Sequence, residues 1–490
     1  MSVLTGKELR VVGFLCNWCS YGGADTAGVA RFTQPTDLRI IRVPCSGRVN
    51  PLFPLKALLS GADGVLVSGC HPRDCHYSEG NYYARRRLEV LKEFLPIVGI
   101  DPRRFEYTWV SASEGQRWQQ VVTAFTEQIH KLGPAPKFDE VKPIYDLPAN
   151  LDLLTPLRPL GCGVNPKAMD ELKGQIRAAL EAGEVEFVIG WQQGYDPLHT
   201  TPLYMRKPED VEKLVWGPLN LHSLATFLPS LKGKKVGVVV KGCDSRGVVE
   251  LLQENLINRE DVVIFGMGCN GTVDINRVLA KLGDVSNIES VKGVAATLKV
   301  RADGKDYEFP MQEIAQDKCR ACNVPNAVIH DHFAGAPTKI PDDAKPELPA
   351  IMSFLDGLSL EERMGFWRGH IERCIRCYAC RNACPMCVCR DYCVADSREP
   401  HWLTQEDSPT QKMFFQLIHA MHLAGRCTGC GECNRACPMG IPVGALKMQI
   451  GRVVQKLFEY APGMDETAVP PLLGFQLEEK NIQEHHIEGA

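Results

Sequence analysis

The sequence lacks the features that would direct a chain to a membrane, to secretion or to nucleic acid. No apolar run approaches the length of about 20 residues that a helix needs to cross a bilayer. The first ten residues, Met1–Arg10, are polar and contain no apolar signal-peptide core. The net charge is only −4, which gives no basic surface for nucleic acid. We therefore expect a cytoplasmic protein with no membrane span and no nucleic-acid partner.

What the sequence has in excess is cysteine, with 21 among 490 residues. In a reducing cytoplasm this density indicates metal ligation rather than disulfide bonds. A secreted disulfide scaffold fits neither the length nor the missing signal peptide. At 44% hydrophobic and 23% charged residues, a chain of this length can build three or four domains with ordinary cores.

Two cysteine runs have the spacing of a ferredoxin with two cubane clusters. Each run contains three closely spaced cysteines and a fourth followed by proline: Cys374, Cys377, Cys380 and Cys384, then Cys427, Cys430, Cys433 and Cys437. In such ferredoxins the cysteine before proline ligates the other cluster. We therefore predict that Cys437 completes the first [4Fe–4S] cluster and Cys384 the second. One run could arise by chance or bind zinc, but two in one chain indicate electron transfer.

The N-terminal region alternates between apolar β-branched segments and helical segments. The predicted strands are Val11–Leu15, Leu38–Val43, Gly64–Val67 and Phe105–Val110, and the predicted helices include Tyr83–Leu95 and Glu114–Leu132. This order predicts a parallel, doubly wound, flavodoxin-like sheet over about residues 8–132. Residues 133–155 contain several prolines and are predicted to be a linker.

Five cysteines of this region are predicted to meet at one edge of the sheet. Cys16, Cys45 and Cys70 close three strands, and Cys19 and Cys75 lie in the adjoining loops. The carboxyl ends of parallel strands share one edge, where ligands bind. Four thiolates suit a [2Fe–2S] cluster and leave one cysteine as a neighbour, a redox partner or a spare. Scattered buried thiols are the alternative.

Two histidines, His71 and His76, flank these cysteines. We expect them to support the site or lie on the surface rather than ligate a metal.

The central region is predicted to be a second α/β domain with four cysteines of its own. Its strands are predicted at Val185–Ile189, Val236–Val240 and Val262–Phe265, followed by a hairpin of Val294–Val300 and Tyr307–Pro310. The cysteines are Cys243, Cys269, Cys319 and Cys322. They could hold a third [4Fe–4S] cluster, or a tetrahedral zinc ion, which uses the same ligands.

The turn before a predicted central helix is a candidate cofactor site. Its residues are Lys241, Gly242, Asp244, Ser245 and Arg246, where backbone N–H groups and two cations could bind an anion. The alternative for the two basic residues is solvated surface. A G-x-G-x-x-G match from Gly266 to Gly271 is a weak dinucleotide signal, and it encloses Cys269, so a metal-binding turn explains its glycines equally well.

Four cysteines remain. Cys387, Cys389 and Cys393 could complete a cluster with a borrowed ligand, bind another metal or stay free. Cys162, between two glycines, is predicted to be structural.

Three stretches resemble known families. The segments Phe14–Tyr21, Arg42–Val49 and Gly69–Tyr77 resemble the delta subunit of methyl-viologen-reducing hydrogenase, which implies one [2Fe–2S] cluster on the five N-terminal cysteines. Lys241–Arg246 and Lys318–Cys322 resemble, more weakly, the beta subunit of deazaflavin-dependent hydrogenases and formate dehydrogenases, which implies FAD beside a [4Fe–4S] cluster. The C-terminal runs resemble the helical ferredoxin domains of heterodisulfide reductases.

We therefore predict an α/β multidomain protein whose third domain is mostly helical. The predicted boundaries are 1–140 for the [2Fe–2S] domain, 141–345 for the flavin/[4Fe–4S] domain, 346–455 for the two-[4Fe–4S] domain and 456–490 for a polar tail. The resemblances imply an anaerobic electron-transfer component of a bifurcating oxidoreductase complex. Its expected partners are a heterodisulfide-reductase-like flavin subunit, together with a hydrogenase, a formate dehydrogenase or a similar redox protein. The alternatives are a catalytic flavoprotein that exchanges hydride with a soluble deazaflavin or NAD(P), and a zinc scaffold without redox function.

Overall fold

The computed structural model describes residues 9–146, 157–342, 344, 349–389, 392–395, 403–404 and 406–482. The first eight residues lie outside these ranges, as do parts of the predicted linkers and of the predicted C-terminal tail.

The strands of the described residues form three separate sheets. They are β1 (Val11–Cys16), β2 (Leu38–Val43), β3 (Gly64–Gly69), β4 (Phe105–Trp109), β5 (Phe187–Gln193), β6 (Thr200–Met205), β7 (Val236–Val240), β8 (Val262–Met267), β9 (Ile288–Val294), β10 (Thr297–Ala302), β11 (Lys305–Pro310) and β12 (His332–Ala334).

The α-helices of the described residues cover both faces of the first sheet and form most of the C-terminal region. They are α1 (Ser20–Val29), α2 (Leu52–Leu59), α3 (Gly80–Phe94), α4 (Gly115–Leu132), α5 (Pro166–Glu181), α6 (Gly242–Gln253), α7 (Ile275–Leu282), α8 (Met311–Ile314), α9 (Asp317–Arg320), α10 (Ala350–Gly357), α11 (Leu360–Ile371), α12 (Ala379–Asn382), α13 (Pro409–His422), α14 (Glu432–Arg435) and α15 (Val443–Phe458).

The N-terminal domain is the predicted parallel sheet, with strand order β2-β1-β3-β4. Every residue of β3 is buried, as expected for a central strand covered on both faces. Helix α4 buries Trp118, Val122, Phe125 and Ile129 at helical spacing. The predicted strands and helices of this domain are confirmed to within a few residues. Helices α1 and α2 lie between strands, where helical segments were predicted without bounds. The segment of α1 is rich in glycine and alanine and has no apolar periodicity.

The central domain contains a five-stranded sheet and a three-stranded antiparallel sheet. The five-stranded sheet has the order β12-β8-β7-β5-β6, in which only the β5–β6 pair is antiparallel. The predicted hairpin is present as β10 and β11, and Asp303 and Gly304 turn with φ of 47° and 72°. Its predicted first arm, Val294–Val300, is wrong as one strand. Ala295, with φ of 48°, breaks this segment, so that Val294 ends β9 and Thr297 begins β10.

The C-terminal region is mostly helical, as predicted, and it shares a hydrophobic core with the N-terminal domain. The indole Nε1 of the buried Trp367, on α11, donates a hydrogen bond to the Ile97 carbonyl at 2.9 Å. The described part of the tail returns to α3, where Phe475 stacks on Tyr82 and Glu479 forms an ion pair with Arg86. No helix in the described ranges has the length and apolar character needed to cross a membrane.

Candidate iron–sulfur centres

The five N-terminal cysteines converge at the carboxyl edge of the first sheet, as predicted. Cys16 ends β1, and its Sγ lies 3.6 Å from the Sγ of Cys70, which directly follows β3. Cys45 follows β2, and its Sγ lies 3.9 Å from that of Cys75. Gly80 begins α3 beside them, and a Cβ atom there would overlap the Cys45 sulfur.

The thiols of this group compete for protons. Hydrogen bonds with Cys45 and Cys70 lower the pKa of Cys16, and the same contacts are the largest cause of a raised pKa at both partners. For Cys19 the pKa is raised chiefly by burial. One thiolate in this set is stabilised by neighbouring thiols that keep their protons. A bound cationic iron centre would stabilise all of the ligating thiolates together.

The aromatic residues next to this group reach the surface. The Trp18 ring, 44% exposed, stacks on His76 at 3.7 Å between ring centroids. Its Nε1 donates a hydrogen bond to the hydroxyl of the exposed Tyr77 at 3.2 Å. His71 Nε2 lies 2.7 Å from Glu114 Oε2. Both flanking histidines thus have partners other than sulfur, in line with the expected supporting role.

The fourth cysteine of each C-terminal run lines the same cavity as the first three cysteines of the other run. One cavity is lined by the first three cysteines of the first run and the last of the second: Cys374, Cys377, Cys380 and Cys437. A cavity of about 420 Å³ is lined by the complementary set: Cys384, Cys427, Cys430 and Cys433. This is the grouping that the spacing predicted for two cubanes.

The loops that carry the two sets follow the same backbone path. The second and fourth residues after the first cysteine are left-handed in both runs: Arg376 and Tyr378 have φ of 49° and 60°, and Gly429 and Gly431 have φ of 70° and 74°. Non-glycine residues adopt this conformation only at a cost. Arg376 and Tyr378 adopt it nonetheless, which indicates that the positions required of the cysteine side chains determine the backbone conformation of this loop.

Lys447, on α15, is buried beside both sets and has no sequence motif to mark it. Burial alone lowers the pKa of its amine, but the thiolates of Cys433, Cys384, Cys380 and Cys427 outweigh burial and raise this pKa. Burial meanwhile raises the pKa of Cys380 and of Cys427 to about 11. A buried cation without a carboxylate among its main partners fits a site that carries anionic clusters.

The four central cysteines also share one cavity, of about 220 Å³. The Cys319 sulfur accepts a hydrogen bond from the backbone N–H of Thr272, and the Cys269 sulfur accepts one from the N–H of Gly271. Lys318 lines both this cavity and that of the second cubane set, and its Nζ donates to the Cys430 carbonyl. The central and second C-terminal sets are therefore neighbours.

The residues predicted to bind a flavin make contacts within the protein. The buried Lys241 Nζ lies 2.6 Å from Asp244 Oδ2 and 4.2 Å from the centroid of the Trp191 ring. The Ser245 hydroxyl donates to the Gly242 carbonyl at 2.8 Å. A Cβ atom on Gly242 would overlap the Val324 carbonyl, so this glycine permits a close approach of two backbone segments.

The other basic residue of that set points elsewhere. Arg246 donates from Nε and Nη2 to the Pro462 carbonyl, beyond the end of α15. Flavin binding by these five residues stays a prediction.

The remaining cysteines separate into two environments. Cys162 is buried against Met311, with 3.5 Å between the two sulfurs, and burial raises its pKa to about 11. Cys387, Cys389 and Cys393 line a cavity beside α13, and the Cys387 Sγ lies 3.0 Å from His419 Nε2. Sequence reasoning did not single out His419.

Two family models match the chain. The model described as the methyl-viologen-reducing hydrogenase delta subunit covers residues 11–133, and the 4Fe–4S dicluster domain covers residues 370–441. The vhc iron–sulfur subunit of the F-420-non-reducing hydrogenase of Methanococcus voltae is 52% identical over 127 residues, which are 26% of this chain and 88% of that protein. The chain belongs to the family of methyl-viologen-reducing hydrogenase delta subunits.

A second relative carries the delta-subunit sequence as a small part of a larger protein. One component of the ferredoxin:CoB-CoM heterodisulfide reductase of Methanosarcina mazei is 50% identical over 124 residues, 25% of this chain and 16% of that protein. Among solved structures, the F-420-reducing [NiFe] hydrogenase complex of Methanosarcina barkeri is 17% identical, with a TM-score of 0.26 over 35% of this chain and 68% of that chain. This structural likeness is too weak to support an argument.

The matches confirm the resemblance to the dicluster domain and to the delta subunit. The protein is an oxidoreductase component with an iron–sulfur electron-transfer role, and it carries [4Fe–4S] clusters. The resemblance of the central region to a deazaflavin-dependent beta subunit stays a prediction.

Proposed function

We propose that the chain relays electrons between a hydrogenase, a formate dehydrogenase or a similar redox partner and a heterodisulfide-reductase-like flavin subunit. The observation that carries this proposal is the placement of the cysteine sets, with one set near the surface and the others next to one another. The N-terminal group lies beside the exposed Trp18 and Tyr77, and the central and dicluster sets share lining residues. Electrons entering at one end would have successive centres on which to reside.

The N-terminal group would hold a [2Fe–2S] cluster. Two thiolates on one tetrahedral iron lie roughly 3.7 Å apart when each metal–sulfur bond is about 2.3 Å. The Cys16–Cys70 and Cys45–Cys75 distances of 3.6 and 3.9 Å are close to this value. This favours those four cysteines as ligands, two on each iron, and leaves Cys19 as the neighbour.

The remaining sets would form the internal part of the relay. The exchange of Cys384 and Cys437 between the two runs would hold the two cubanes side by side, because each run would contribute ligands to both. Lys318 and Gly429 line both the second cubane set and the central set. The central cysteines would hold a third cubane, in contact with the pair.

The names of the relatives support the choice of partners. One is a hydrogenase iron–sulfur subunit, and the other is a heterodisulfide reductase component that includes the same sequence within a longer chain. The chain would therefore work in a hetero-oligomeric complex and form one arm of flavin-based electron bifurcation. The internal contacts of Lys241, Asp244 and Ser245 favour the relay over a catalytic flavoprotein.

The experiment is coupled electron transfer by the complex that contains the full chain, purified anaerobically with the variants Cys16→Ser or Cys70→Ser. We expect electron transfer to the flavin subunit to be lost while the EPR signals of the reduced cubanes are unchanged. Cys162→Ser is the matched control, since this buried thiol lies outside the N-terminal group, and it should retain transfer. Full coupled activity in the first two variants would contradict the relay. Flavin counted on the same samples tests the central site.

A further inference from the structure

Three cysteines that the dicluster ferredoxin pattern leaves over line a cavity of their own. Cys387, Cys389 and Cys393 surround a space of about 210 Å³ against α13, nearly the same volume as the cavity of the central cysteine set. Two histidines of α13, His419 and His422, line the same cavity. They are three residues apart and therefore share one face of the helix.

The spacing of the sulfur atoms distinguishes a cluster from a single ion. Over the described ranges, the only three cysteine, histidine or carboxylate side chains with ligand atoms mutually within 4.8 Å are Cys384, Cys387 and His419. The three sulfurs of Cys387, Cys389 and Cys393 are therefore spread more widely. Ligands of one tetrahedral ion, with bonds of about 2.3 Å, lie within about 4 Å of one another. A cubane instead distributes its four ligands over four irons, so its ligand atoms lie further apart. Within each of the two dicluster sets, too, no three sulfurs lie mutually within 4.8 Å in the described residues.

The surroundings of the cavity favour an anionic occupant. Arg381 and Arg426 line it, and Arg381 Nη2 donates to the Cys389 carbonyl at 3.1 Å. The buried Lys447 lies behind His419, with 3.2 Å between Nζ and Nε2. Arg426 also forms an ion pair with Glu254. A cluster ligated by three thiolates is negatively charged, and positive groups around the cavity would stabilise it.

The two histidines have different positions relative to the sulfurs. His419 Nε2 is 3.0 Å from the Cys387 sulfur, too close for the two atoms to occupy separate corners of a cubane, so His419 is a neighbour of Cys387 and not a second ligand of the same cluster. His422 lies one helical turn further along the same face of the cavity. It is the other imidazole among the residues that line this cavity.

We propose that Cys387, Cys389, Cys393 and His422 hold a further [4Fe–4S] cluster, adjacent to the second cubane through Cys384. Cys384 and Cys387 are three residues apart, and their sulfur atoms lie within 4.8 Å of each other. The proposal concerns this metal site alone and does not depend on the partners of the relay.

The test is the metal content of the full chain, purified anaerobically as wild type, as the double variant Cys389→Ser/Cys393→Ser and as the control Cys162→Ser. We expect the double variant to lose about four irons and about four sulfides per chain, as one cubane requires. The control should lose none. An unchanged iron count would overturn the proposal, and so would the loss of one zinc with all iron retained, which would show that these cysteines bind a single ion and not a cluster.

The variant His422→Cys keeps the proposal testable if the double variant does not fold. Histidine ligation raises the potential of an iron–sulfur cluster relative to cysteine ligation. We therefore expect His422→Cys to retain the full iron count, while one EPR signal shifts and its midpoint potential becomes more negative. Identical spectra and potentials in wild type and His422→Cys would exclude His422 as a ligand and overturn the assignment.

Discussion

The Nζ atom of Lys447 lies 3.2 Å from the Nε2 atom of His419, and both side chains are buried where the C-terminal cysteine sets meet. Lys447 faces thiolates of both dicluster sets, and His419 contacts Cys387. The cation is therefore placed to act on several centres at once. A fixed positive charge near a cluster stabilises the reduced form, which is more negative by one charge.

Replacing Lys447 with methionine should lower the midpoint potentials of both cubanes. At an effective dielectric constant of about 20 and a separation of about 6 Å, one charge contributes roughly 3 kcal/mol, or on the order of 100 mV for one electron. Redox titration followed by EPR measures the shift. Lys456→Met on the same helix is the control, because its amine is exposed and pairs with Glu93. Equal potentials in Lys447→Met and wild type would show that the clusters do not sense this cation.

The exchange of cysteines between the runs predicts which variants share a phenotype. Cys374→Ser and Cys437→Ser should remove the same cubane, although the two residues belong to different runs. Cys384→Ser and Cys427→Ser should remove the other. EPR spectra of the reduced variants check this grouping. Matching spectra for Cys374→Ser and Cys384→Ser would instead mean that each run holds its own cluster.

The spacing of cysteines was enough to predict which of them lie together in the folded chain, because ligand geometry restricts the chain strongly. The exchange of Cys384 with Cys437 and the meeting of Cys16, Cys45 and Cys70 at one sheet edge follow from motif spacing and from the order of the strands. Neither inference needed the details of packing. The four central cysteines were grouped in the same way, and they line one cavity.

The features that the sequence did not predict are those that depend on tertiary contacts. Lys447 lies on an amphipathic helix, where a lysine is ordinarily exposed, and only the folded chain shows it buried beside thiolates. The break at Ala295 splits one predicted strand because this residue turns with positive φ, which its residue type does not favour. His419 belongs to no motif, and its contact with Cys387 joins residues far apart in the chain.

Gly80 should be sensitive to substitution because its α-carbon faces the N-terminal cysteines. In Gly80→Ala the added methyl group would overlap the Cys45 sulfur and approach that of Cys75. We expect loss of most of the proposed [2Fe–2S] EPR signal, with the cubane signals unchanged. Gly28→Ala, where the added Cβ has no neighbour within 4 Å, is the control and should leave every signal intact. A normal [2Fe–2S] signal in Gly80→Ala would place the cluster away from Cys45.

Glu250, on α6, should make the stability of the protein depend on pH. The side chain is fully buried, and its carboxylate accepts a hydrogen bond from Tyr460 at 2.9 Å. Burial raises the pKa of this carboxyl group from 4.5 to about 7. Between these values the folded state keeps a proton that the unfolded state releases, so the free energy of unfolding falls as pH rises from about 4.5 to 7.

Glu250→Gln removes this titration and retains an oxygen that can accept from Tyr460. At pH 8 the variant should therefore be more stable than wild type, by at most about 3 kcal/mol, and the difference should vanish near pH 4.5. Thermal unfolding of the anaerobic protein across this pH range measures the effect. Glu466→Gln, at an exposed position, is the control and should follow wild type throughout. A stability difference between Glu250→Gln and wild type that stays constant with pH would mean that this carboxyl group is ionised in the folded protein.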